Sequence, residues 1–265
     1  MSPRPSRRTP RKPEPGGPAS RRRAVWPLAM VLGLSGVLAW AYAHLFAGEP
    51  HGLDNTAHLA EVAFLSRAMK AGDWNWWDPS GNSGFPSGYF YQVLPQALTA
   101  ALSALTGLAP LRSFQLALFL PLVLAPAATY RAVRVMGADR WVAMGAAAAL
   151  PFTIAGRLIA GPGMDSARWG HGADGALSGG LFTQLWAFVA LPLALAHAAR
   201  WLEAGRGLAS ALGWGLFVGL CHPFGGIALG VAALAGASWR AAERFLRPGG
   251  AAPETPALLG RLLVL

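Results

Sequence analysis

Charged side chains are scarce in this chain: Asp, Glu, Lys and Arg make up 13% of its 265 residues, against about a quarter in an ordinary soluble domain. Hydrophobic residues make up 54% and the mean hydropathy is +0.37, so the long uncharged runs read as an integral membrane protein. Cysteine is reduced to Cys221, which excludes an internal disulfide and a cysteine metal cluster. Glycine is plentiful, yet G-x-x-x-x-G-K-[ST] is absent, so there is no P-loop. The net charge of +10 would suit a nucleic-acid partner, but eight of the 22 basic residues lie in the first 23 positions and the others are scattered. That is the pattern of cytoplasmic anchoring, and no nucleic acid is expected.

Residues 1–23 are rich in Pro, Arg and Ser and predict a disordered basic tail on the cytoplasmic side. Residues 24–265 predict an all-α, polytopic transmembrane bundle in the inner or plasma membrane. Its first span is 24–48, which carries no formal charge. Further spans are expected at 92–108, 113–134, 141–156 and 181–200. The uncharged run 207–239 is broken by His222-Pro223 and predicts either one interrupted helix or a tight pair. The apolar residues 257–265 read as the opening of another span, giving about six to seven and an expectation that the chain continues. Pro121 and Pro126 are kinks that neighbouring helices can accommodate. With the tail inside, simple alternation puts Arg131, Arg134 and Arg140 outside, against the positive-inside tendency.

The loop 49–95 gathers what chemistry the sequence offers. Asp54, His58 and Glu61 have helical spacing and predict one face of a helix over 55–71 lying along the membrane surface, with Leu59, Val62, Ala63 and Met69 as its apolar stripe. Asp54 suits a general base that takes a proton from an acceptor hydroxyl, and equally suits a helix N-cap. His58 suits support of Asp54 or a phosphate contact, and equally an interfacial histidine. Glu61 suits a solvated helix face. Trp74, Trp76 and Trp77 suit an aromatic belt, with carbohydrate stacking open to one of them. Asp78 before Pro79 suits an Asx turn. Tyr89 and Tyr91 suit the interface.

The order of Asp54, His58-Leu59, Gly72, Trp77, Pro79, Gly84, Pro86, Tyr91 and Pro95 resembles the first external loop of the GT-C class of membrane glycosyltransferases. It is most similar to the bacterial integral membrane proteins labelled 6-pyruvoyl-tetrahydropterin-synthase-related. Where many GT-C enzymes carry a paired acid, Asn55 follows Asp54. The resemblance implies transfer of a sugar from a polyprenyl-phosphate carrier to an envelope acceptor on the external face, with Asp54 as base and His58 beside it. No cofactor is named by the residues, and room is left for a divalent metal ion.

Outside this loop, Arg157 and Arg168 have the forked guanidinium that suits a carrier phosphate. Trp77, Asp78, Tyr91, Glu61 and His222 complete the set of candidate substrate contacts. His222, inside a span, is costly to bury and suits either a functional site or a kink whose imidazole satisfies a freed carbonyl. The alternative expectation is a non-catalytic transport or envelope-assembly protein, or a truncated remnant.

Overall fold

The computed structural model describes residues 18–50, 54–79, 84–87, 93–154, 181–246, 260–261 and 264. These are mostly helical, with eight α-helices and one two-residue strand pair among them. In chain order the helices are α1 (Pro18–Ala41), α2 (Asn55–Ala71), α3 (Leu94–Thr106), α4 (Pro110–Val135), α5 (Arg140–Ile154), α6 (Phe182–Ala204), α7 (Leu208–Cys221) and α8 (Pro223–Leu246). A 3₁₀ turn, Ala43–Phe46, follows α1. Helix α1 begins at Pro18, and residues 1–17 of the expected basic tail lie outside the described residues.

Helix α6 is the central post and packs against α4, α7 and α8. Ala187, Ala190, Ala194, Ala196 and Ala198 on it are buried, and such small side chains let neighbouring backbones approach closely. Pro121 inside α4 can donate nothing to the carbonyl of Ala117, four residues earlier. Trp186 on α6 fills that gap: its Nε1–H donates to the Ala117 carbonyl at 2.9 Å.

Helices α4 and α6 are long and apolar enough to cross a membrane, while the apolar parts of α1 and α7 are shorter. The expected span at 92–108 is instead the 13-residue α3, about 20 Å long at 1.5 Å per residue and short of a hydrocarbon layer of ~30 Å. Its polar residues Gln96, Thr99 and Ser103 are buried, at helical spacing, while Leu98 and Leu105 are exposed. That polar stripe faces α2: Ser66 Oγ donates to Ser103 Oγ at 3.0 Å, which donates to the Leu108 carbonyl at 2.8 Å. Helices α2 and α3 thus pack side by side at one end of the bundle.

The contacts also fix how the long helices follow one another. Arg112, at the start of α4, donates to the Phe46 carbonyl just after α1, so α1 and α4 run antiparallel as successive long helices. Arg131, Arg134 and Arg140 then fall at the end where α1 begins, together with Arg200, Arg206 and Arg240. Leu150 near the end of α5 packs with Tyr42, Leu45 and Leu181, so α5 finishes and α6 starts at the opposite end, beside α2.

The run 207–239 resolves as a tight pair. Gly226 approaches the Cα of Gly219 so closely that a Cβ on it would lie 3.4 Å away, and a Cβ on Gly215 would lie 3.3 Å from Leu229. In one continuous helix positions 215 and 229 would stand about 21 Å apart. His222, extended at φ −161°, makes the reversal.

Candidate functional site at the α2 end of the bundle

Helix α2 has the bounds its sequence predicts, Asn55–Ala71, and ends at Gly72 with φ 71°, a left-handed cap that only glycine takes without strain. Its buried face is broader and more polar than expected: Asn55, His58, Val62, Leu65, Ser66 and Ala68. Asp54, His58 and Glu61 therefore do not share one environment. Asp54 stands exposed at the N-cap position, where its carbonyl accepts the His58 N–H at 2.9 Å but its carboxylate makes no cap bond. Glu61 is half-buried and accepts from the hydroxyl of the buried Ser87 at 2.9 Å. The solvated-face expectation for Glu61 is thus corrected: it ties α2 to the hairpin that follows.

His58 is 6% exposed, which corrects the interfacial reading. Its ring lies against Phe182, centroids 5.7 Å apart, and Phe182 packs on Phe114 at 4.8 Å. Gln96 on α3 bonds His58 Nδ1 at 3.0 Å. Neither Phe182 nor Gln96 is legible as a partner from local spacing, because they sit 124 and 38 positions away along the chain.

The W-x-P and G-x-P elements form a small clasp. Trp77–Asp78 pairs antiparallel with Phe85–Pro86, Trp77 opposite Pro86. The Trp77 indole lies over Gly84, which has φ 91°, and any Cβ there would overlap the ring. Three of the resembling residues, Trp77, Gly84 and Pro86, are thereby accounted for by packing. Pro95 likewise begins α3, where a missing N–H has no cost. Asp78 is half-buried within this clasp, opposite Phe85. Tyr91, Arg157 and Arg168, with the rest of the Gly-rich loop 161–180, lie outside the described residues.

A cleft of about 360 Å³ opens beside the start of α2, lined by His44, Leu45, Ala47, Gly48, Glu49, Pro50 and Asn55. One of its walls is the chain just after α1, and α4 holds that wall in place. Gln115 Nε2 donates to the Gly48 carbonyl at 2.6 Å, and Arg112 donates both to Gln115 Oε1 and to the Phe46 carbonyl at 2.9 Å. Glu49 lines the cleft and Asp54 adjoins it through Asn55. Neither Glu49 nor Arg112 stands out in the sequence: each is a single charged residue beside an uncharged run. Among the described residues no three His, Cys, Asp or Glu side chains converge as a metal site would need.

His222 does not join this cleft. It is buried, its Nδ1 accepts the Phe224 N–H at 3.3 Å, and its carbonyl accepts the N–H groups of Gly225 and Gly226. The imidazole caps the start of α8, satisfying a freed donor rather than a freed carbonyl. No protein-family model, curated protein or solved structure matches the chain.

Proposed function

We propose that this chain is a multi-pass membrane protein that transfers a sugar from a polyprenyl-phosphate carrier to a hydroxyl-bearing envelope acceptor at the α2 end. Large apolar side chains point outward along the helices: Trp26, Leu32, Val37, Leu124, Leu216, Phe224, Ile227 and Val231 are all exposed. Polar ones such as Gln96, Gln115 and Thr183 are buried. Lipid, not water, suits that arrangement. The arginine end suits the cytoplasm, and with α3 not counted as a span Arg131, Arg134 and Arg140 agree with the positive-inside tendency.

The observation that carries the functional reading is a cleft with Glu49 and Asn55 in its wall and Asp54 next to Asn55 in the chain, at the bundle end where α2 begins. A carboxylate within reach of an acceptor hydroxyl can take its proton as the glycosidic bond forms. We assign the base to Glu49, since Glu49 lines the cleft, and give Asp54, the base implied by the resemblance, a secondary part. Arg112 is a cation beside the same cleft, suited to a phosphate through the donors it does not use on Phe46 and Gln115.

In a strain whose surface glycolipid profile depends on the gene, Glu49→Gln is expected to lower product about 100-fold or more, with Asp54→Asn less severe. Wild-type profiles from both variants would assign the chain to non-catalytic transport or assembly. Orientation is tested separately with an impermeant maleimide on intact cells, since Cys221 is buried. A cysteine at Thr106 should label and one at Asp139 should not; the reverse pattern would overturn the orientation.

A further inference from the structure

We infer that Gln96 is a positioning residue for His58, fixing its neutral imidazole with the proton on Nε2 and the Nδ1 lone pair turned to α3. The inference rests on the reading of the α2 end as the working end, because His58 lies one turn inward of Asn55, which lines the cleft. Residues three apart on a helix stack on one face, and both are buried, at 1% and 6% exposed. From the cleft wall a row of buried polar side chains leads inward: Asn55, then His58, then Gln96.

The amide orientation follows from what each choice leaves unpaired. With Nε2 of Gln96 donating to His58 Nδ1, the atom left without a partner is Gln96 Oε1, in a side chain 0% exposed. Turning the amide would put an NH₂ group in that unpartnered place. Buried orphan N–H groups are rarer and costlier than under-satisfied carbonyls. Nδ1 must then be an acceptor, and a neutral imidazole whose Nδ1 accepts carries its proton on Nε2. The arrangement has a second property. If His58 takes up a proton, a half-turn of the amide offers Oε1 to the new Nδ1–H, so the imidazolium keeps the same partner. A carboxylate at 96 would lack the donor, and an apolar residue would lack both.

The test is ¹⁵N spectroscopy of histidine-labelled protein in detergent micelles, with His58 assigned by the signal missing from His58→Asn. Wild type should show an unprotonated Nδ1 and a protonated Nε2. Gln96→Leu should collapse that difference toward a mixture of the two tautomers, and Gln96→Glu should give Nδ1 a proton. A protonated Nδ1 in the wild type overturns the inference, even if no variant folds. So does a Gln96→Leu protein whose His58 shifts are unchanged, which would mark Gln96 as packing only. The readout needs no transfer reaction: the expected shifts together with an active Glu49→Gln would leave this pairing standing and remove the transferase reading.

Discussion

The two ends of the bundle are both polar, but they are built differently. The α2 end holds its polar groups inside, in bonds that join distant parts of the chain: Gly48 to Gln115, His58 to Gln96, Glu61 to Ser87, and Ser66 to Ser103. At the arginine end, cations stand on exposed helix termini. The ion pair there, Arg240 with Glu203, has both side chains about half exposed, and Arg261 grips only the carbonyls of Leu202 and Glu203. Water and salt screen the second arrangement, while the His58–Gln96 and Ser66–Ser103 bonds of the first are buried away from them. One end is organised to hold a shape, the other to carry a sign of charge.

That contrast can be broken from either side. The largest effect should come from Gln115→Leu, which strips the Gly48 carbonyl of its donor and Arg112 of an acceptor; a loss of about 3 kcal/mol is expected in detergent unfolding. Gly84→Ala should cost about 2 kcal/mol, from the overlap with the Trp77 indole and the positive φ, and should be visible as a shift in tryptophan emission. Ser66→Ala should cost about 1 kcal/mol, because Ser103 keeps its bond to the Leu108 carbonyl. Glu203→Gln should change stability by less than about 0.5 kcal/mol and erase what little salt dependence the pair confers. A Glu203→Gln protein less stable than the Gln115→Leu one would invert the comparison.

The parts of the fold written in local pattern were legible. Helix α2 follows its amphipathic spacing to the residue, α4, α5 and α6 follow their uncharged runs, and His222-Pro223 announces a break. Helix α3 misled because lack of charge was read as lack of polarity. Gln96, Thr99 and Ser103 recur on one helical face within an uncharged stretch, the mark of a helix that hides its polar side against a partner. That single reassignment reverses the end at which Arg131, Arg134 and Arg140 emerge. The site was legible only in part. His58 and Asp54 have spacing that suggests cooperation, but the N-cap backbone turns the acid to solvent while the histidine goes inward. The residues that complete their surroundings, Gln96, Gln115 and Phe182, come from helices folded in later, and no short-range rule connects them.

The indole of Trp186 seated at the Pro121 gap has a consequence for inheritance. The two residues meet at one carbonyl: a proline without the indole leaves it bare, and an indole without the proline has to share it with the helix's own N–H. The two sites should therefore change in tandem across descendants of this sequence, and an alanine at 121 repaired in the laboratory should make a phenylalanine at 186 nearly harmless.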